Sequence, residues 1–510
     1  MKGELLVENL LAYAKIHLHL QDEDVDYTRN ILLNTLKLTQ PYSGSINESQ
    51  IKGASVPDEL AMQLKEYATQ NNLVEEWYLD IFVANIFGLL SPLPSQINNQ
   101  FKQIKEKTGA QKACDYLYDI CIKNGYIQKT AIDKNVKWNC QDGNRLLEMT
   151  INLSKPEKNN KDTAKLLTKV TNEKYPKCFL CKENEGFEGS LTHPPRRNLR
   201  TLKVKLNGEN WFMQYSPYAY YDEHCIIINE EHIPMSVDKN TPNKLLDFID
   251  LFPNYFVGSN ASLPIVGGSI LNHEHYQGGG YLMPMHYAPI DEYYECKSYP
   301  QLKVGILDWY NSTINIRGKN RQEVANYSSK IIERWKVFDC EELGILSNTN
   351  GTQHNAVTPI CRKVGDEYEM NLILRNNCCN EQYPDGIFHA HPEYHNIKKE
   401  AIGLIEAMGL FILPGRLKRQ FEAIENILCG IAPYDKESLN DQANDLYVHK
   451  DMIKELIEQG PCVDKEQASV RVKEYVNKVC ANILDNTAVF KKDKAGKEAF
   501  KRFIQFIEKE

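Results

Sequence analysis

The stretch 267–277 reads Gly-Gly-Ser-Ile-Leu-Asn-His-Glu-His-Tyr-Gln. Side chains alternate with a period of two along an extended chain, so His273, His275 and Gln277 fall on one face, over roughly 13 Å of backbone. Two imidazoles and a carboxamide in a row suit metal ligation or nucleophilic chemistry. Glycines before and after let a ligand approach the main chain closely. A bare His-x-His is more often surface polarity or a metal site than a nucleophile. The flanking glycines and the following glutamine favour a functional strand here.

Cys178-Phe-Leu-Cys181 is the second constellation. Cys-x-x-Cys reads as half a zinc site or as a redox pair. A redox pair wants a strand-to-helix setting, whereas the Lys-Glu-Asn-Glu-Gly that follows is rich in turn residues. A zinc site needs two more ligands, and no second Cys-x-x-Cys supplies them. The nearest histidines downstream are His193, His224, His232 and His273. A Cys2His2 site drawn from separate segments would clip the middle of the chain together.

The elements that must position these groups change character along the chain. Residues 1 to about 150 predict helix, with Leu5, Leu6, Leu10, Leu11 and Tyr13 at helical spacing and a further helix over 77–87. The polar, proline-bearing run 153–162 predicts a linker. From 165 to 395 short β-prone runs dominate, at 202–206, 225–229 and 370–374, separated by turns such as Leu206-Asn-Gly208. Helix returns from 396, first over 397–407 and last in an amphipathic stretch with Phe500, Phe503, Ile504 and Ile507. The resulting expectation is an α+β chain with helical regions at 1–160 and 396–510 around a core at 165–395. A second His-x-His, His389 and His391, echoes the first.

Composition narrows the function classes. The chain has 510 residues, 42% of them apolar and 25% charged, which is ordinary for a globular protein. Its net charge of -8 argues against broad nucleic-acid binding, which needs a basic surface. The amino terminus scatters charge among its apolar positions, and no stretch reaches the ~18 apolar residues of a membrane span. A cytoplasmic protein without membrane or nucleic-acid partners is expected. The fourteen cysteines are then core residues, ligands or reactive groups rather than disulfides.

These motifs together resemble the galactose-1-phosphate uridylyltransferases, within the histidine-triad superfamily, and their longer Gram-positive branch in particular. The family's Cys-Phe-Leu-Cys matches 178–181, and its His-Pro-His-x-Gln strand matches 273–277, with Glu274 in place of the proline. The superfamily's strand and turn ending in histidine resembles 224–232. The likeness covers about 175–410, under half the chain, and implies a histidine-triad-like antiparallel sheet core, with two tandem half-domains as an option.

Carried over residue by residue, the resemblance implies His275 as nucleophile and Gln277 as its phosphate-binding companion. It implies Cys178, Cys181, His232 and His273 as zinc ligands. A neutral imidazole, with an ordinary pKa of about 6.5, keeps one nitrogen free for attack on the α-phosphorus of UDP-glucose. UMP would pass through a uridylyl-histidine to galactose 1-phosphate. Gln277 can only hydrogen-bond a phosphoryl oxygen without offering a proton, which fits transfer better than hydrolysis.

The resemblance also suggests a second metal site at His354, His389 and His391, the alternative being polar histidines packed near the active site. Lys399 is a candidate for the sugar phosphate's charge, or else a solvated helix lysine. Ser269 joins the candidate substrate contacts. Arg375 could pair a phosphate or make a structural ion pair. Asn198 and Arg200, in Pro195-Arg-Arg-Asn-Leu-Arg200, are candidates for nucleotide contact. A homodimer is the usual family assembly. The competing readings are a related nucleotidyl transferase or dinucleotide phosphorylase using another base or sugar, and a zinc-stapled nucleotide-binding module without turnover.

Overall fold

The computed structural model describes residues 2–154 and 175–509. Most of the expected linker at 153–162, and the expected boundary between 160 and 165, lie outside the described residues. The chain divides into two compact units. One comprises Met1–Lys134, Lys158–Ile233 and Gly278–Gly280; the other comprises Asn135–Glu157, Pro234–Gln277 and Tyr281–Glu510.

The first unit opens with helices, as the apolar spacing predicts. Helix Gly3–His17 buries Leu6, Val7, Leu10, Leu11, Tyr13 and Ala14 on one side. The helix expected over 77–87 runs Leu79–Leu90, entered through a 3-10 turn at Glu76–Tyr78. Leu202–Leu206, Glu209–Tyr215 and Cys225–Asn229 then form an antiparallel meander. The turn at Asn207 and Gly208 joins the first two strands with both residues at positive φ (49° and 80°), the handedness a tight hairpin requires. Close packing at Gly279 explains a glycine of the motif region: a Cβ there would meet the Glu223 carbonyl oxygen at 2.7 Å.

In the second unit six antiparallel strands follow the order Phe256–Gly258, Asn355–Val364, Glu367–Asn376, Thr313–Gly318, Lys303–Leu307 and Ile290–Tyr294. Helices Thr241–Leu251 and Arg321–Trp335 pack on this sheet with their apolar sides buried. The last helix, Lys494–Glu508, seats Phe503 against Trp335, ring centroids 5.1 Å apart. Helical termini and a large antiparallel sheet make the chain α+β, as expected. No single helix among the described residues is long and apolar enough to cross a membrane.

Two expectations change. Within the region read as helical, Val136–Asp142 and Arg145–Ile151 pair as a hairpin, and Leu410–Leu413 adds in parallel to the second strand. The Asp142-Gly143-Asn144 turn, with Gly143 at φ 57°, was the available signal. The helix expected over 397–407 shortens to Leu404–Ala407. The backbone before it is spent elsewhere: the Ile402 carbonyl accepts from Arg375, and the Leu404 amide donates to the Asn260 side chain.

Candidate active site

The motif strand runs His275–Gly279. His273 is fully buried and His275 is 7% exposed. Nδ1 of His275 lies 2.8 Å from the His273 carbonyl oxygen. A carbonyl can only accept, so Nδ1 carries the proton and Nε2 keeps its lone pair. The backbone of the motif thereby selects the tautomer. Burial, and secondarily the neighbouring His273, hold the His275 imidazole below its ordinary value, against the opposing effect of that hydrogen bond. The ring is therefore neutral at pH 7. The His275 amide is held by the Met235 sulfur at 3.2 Å.

Cys178 and Cys181 occupy a tight turn that continues into the 3-10 segment Lys182–Asn184. The Asn184 side chain donates to both the Cys178 and Cys181 carbonyls, at 2.8 Å each, and so closes the knuckle. The two sulfurs are 3.5 Å apart, and the Cys181 sulfur is 3.1 Å from Nδ1 of His232. Among the described residues, one group of His, Cys, Asp or Glu side chains is close enough to hold a metal ion. Cys178, Cys181, His232 and His273 each offer a ligand atom, all within 4.8 Å of one another.

The donor set fits a tetrahedral ion, whose sulfur and nitrogen ligands stand about 3.5–3.8 Å apart. Burial and the Cys178 thiol push the Cys181 thiol up to about 11, a preference that a bound cation reverses by taking the thiolate. The four residues named from the resemblance are thus brought together.

The remaining candidates divide. Asn198 and Asn124 exchange amide hydrogen bonds with each other's carbonyls, at 3.0 and 2.7 Å. Arg200 is buried, with its guanidinium bonded to the main-chain oxygens of Gly88, Ser91, Pro92, Arg197 and Leu199. Both side chains donate to main-chain oxygens in this structure. Ser269 and Lys399 are exposed. The lysine beside it, Lys398, is buried and paired with Glu406 at 3.0 Å.

Arg375 is fully buried at the end of its strand, where burial pulls its guanidinium down to about 10. One of its nitrogens donates to the Ile402 carbonyl, while Nε and Nη1 have no hydrogen-bond partner. The expected second metal site does not assemble among the described residues. His354 is bonded through Nδ1 to the Asn377 side chain at 2.8 Å. His391 stacks on Tyr383 at 3.8 Å and hydrogen-bonds the Ile387 carbonyl oxygen. His389 is buried apart from any such ligand group, its pKa pulled down to about 4 by burial.

Sequence reasoning missed Asn184 and a buried ion pair between Lys244 and Glu274, with Nζ 3.1 Å from Oε1. The position of Glu274 between two histidines was a signal for the second. Nothing in the sequence pointed to Lys244.

A buried, single-tautomer imidazole two residues from His273, which belongs to a Cys/His group able to hold a metal ion, is the chemistry this site offers. Comparison with known proteins is specific. Models of the amino- and carboxyl-terminal domains of galactose-1-phosphate uridyl transferase match residues 20–234 and 248–440. The galactose-1-phosphate uridylyltransferase of Caldanaerobacter subterraneus subsp. tengcongensis is 44% identical, over 98% of this chain and 97% of its own. Those of Clostridium acetobutylicum and Bacillus subtilis are 41% and 42% identical, each over 98% of this chain and over 99% and 96% of their own. The chain belongs to the galactose-1-phosphate uridylyltransferase family.

Proposed function

We propose that this chain transfers UMP from UDP-glucose to galactose 1-phosphate, through a uridylyl-histidine on His275. The observation that carries the mechanism is the hydrogen bond from His275 Nδ1 to the His273 carbonyl. It leaves Nε2 as the one basic nitrogen, already oriented. Nε2 attacks the α-phosphorus, the bond from that phosphorus to the bridging oxygen breaks, and glucose 1-phosphate departs with the electron pair. An oxygen of the galactose 1-phosphate phosphoryl group then attacks the same phosphorus, and Nε2 leaves. Both leaving and entering groups are ionised phosphates, so neither half-reaction needs a general acid.

Gln277 supplies an amide N–H to a phosphoryl oxygen, stabilising charge without giving up a proton. Cys178, Cys181, His232 and His273 are the proposed ligands of a zinc ion, the choice their soft thiolates and imidazoles favour. Zinc held there would fix His273, and with it the carbonyl that orients His275. Arg375, with two donors lacking a protein partner, is the proposed contact for sugar-phosphate charge, together with Lys399 and Ser269. The fourteen cysteines form no disulfide, which suits a reducing compartment, and we propose the cytosol and a homodimer as the working setting.

Incubation with UDP-glucose labelled on the α-phosphorus tests the reading. Acid-labile, base-stable label should appear on the chain, be discharged by galactose 1-phosphate, and be absent from His275→Gly. Label that persists in that variant would refute the assignment, and label donated only by an adenine or guanine nucleotide would redirect it to another transferase.

A further inference from the structure

We propose that Lys244 and Glu274 form a positioning pair, which sets the direction of the His275 imidazole from the back of the motif strand. The inference rests on His275 being the nucleophile. Glu274 immediately precedes the strand His275–Gly279, and its carboxylate accepts from the Tyr276 hydroxyl, so it shares the face of Tyr276, which within the strand is opposite to that of His275. There it meets Lys244 of helix Thr241–Leu251. Nζ lies 3.1 and 3.3 Å from the two carboxylate oxygens, and the Tyr276 hydroxyl donates to Oε1 at 3.3 Å. Lys244 and Glu274 are 7% and 2% exposed.

A charge pair so far from water stabilises little, because desolvation consumes most of the attraction, and apolar side chains of the same volume would serve the core as well. What such a pair does supply is direction: one register of the strand brings the carboxylate to the ammonium, and a slip or rotation separates the two. The helix carrying Lys244 is itself fixed. Arg321, at the start of helix Arg321–Trp335, pairs with Asp247 and Asp250 and bonds the side chain and carbonyl of Asn243. The strand is therefore tied through Glu274 to a clamped helix on one face, while His275 works on the other.

The test is a cycle of Glu274→Gln, Lys244→Met and the double variant, with Lys244→Arg as the conservative replacement, in the full-length chain. Thermal unfolding reports folding, and steady-state and single-turnover labelling report chemistry. Each single variant should lose at least about tenfold in kcat and in labelling rate, with KM for UDP-glucose within about threefold, because misdirecting the nucleophile affects the reacting geometry rather than the binding of the sugar nucleotide. The double variant should be no slower than the slower single, since the two act as one unit. Lys244→Arg should stay within about threefold of the parent.

A kcat loss under about tenfold in Glu274→Gln, or single-variant losses that multiply in the double, would overturn the proposal. Glu274→Gln keeps the volume and one hydrogen bond, so it and Lys244→Arg decide the matter if Lys244→Met fails to fold. His275→Gly, run alongside, separates the two levels. Persistent label there sinks the nucleophile assignment, whereas loss of label there with a full-rate Glu274→Gln sinks only the positioning pair.

Discussion

Replacing Arg200 with alanine should destabilise the protein while leaving substrate affinity unchanged. Its guanidinium makes five hydrogen bonds to main-chain oxygens: to Pro92 through Nε, to Arg197 and Leu199 through Nη1, and to Gly88 and Ser91 through Nη2. These tie the carboxyl end of helix Leu79–Leu90 to the segment that leads into strand Leu202–Leu206. Each charge-assisted bond is worth about 1.5 kcal/mol or more, and five would exceed 7 kcal/mol, but burying the cation costs several kcal/mol in return. Burial lowers the pKa of Arg200, the mark of that cost, with Glu185 opposing it.

The net loss is then about 3 kcal/mol, which for a unit of this size lowers Tm by about 6–12 °C. Thermal unfolding by circular dichroism, followed by uridylyl transfer kinetics on the folded variant, makes the measurement. A KM for UDP-glucose raised more than about tenfold, with Tm moved by less than about 2 °C, would refute the reasoning and return Arg200 to the substrate.

Other perturbations follow from the same contacts. Cys181→Ser should abolish stoichiometric metal, measured by elemental analysis, together with activity, while Cys379→Ser, at an exposed cysteine, should change neither. Asn184→Ala removes the two bonds that close the cysteine turn, so metal affinity by chelator competition should fall by about 10–100-fold with the ligands intact. His449 is buried against Gln420, and burial, aided by Arg416, pulls its pKa down to about 4. The unfolded chain then binds a proton below about pH 6.5 that the folded chain refuses, so stability falls as pH falls, by about 2 kcal/mol between pH 6.5 and 5. Denaturant titrations at the two pH values should show that loss, and His449→Asn should reduce it.

The fold and the candidate site are only partly legible in the linear order. Ile-Ile-Ile in 226–228 and the apolar run ending at Arg375 announced strands, and the leucine spacing announced the first helix. The hairpin at 136–151 was lost because helix-compatible residues surround its one turn signal, Gly143. Over 397–407 the apolar pattern suits a helix, but Arg375 and Asn260 claim backbone groups that a helix would have to keep for itself.

The sequence by itself determined what depends on near neighbours. His275, Tyr276 and Gln277 alternate because consecutive residues of a strand must, and the bond from His275 to the His273 carbonyl spans only two residues. The cysteine turn is likewise local. Tertiary structure alone decided which distant groups meet these. His232 reaches Cys181 across 51 positions, and Lys244 reaches Glu274 across 30. It also decided that Asn198 and Arg200 hold backbone and that His354, His389 and His391 stay apart. Burial is the physical reason: whether a polar side chain serves a ligand or a neighbouring carbonyl depends on what surrounds it after the chain has closed, and spacing along the chain carries no record of that.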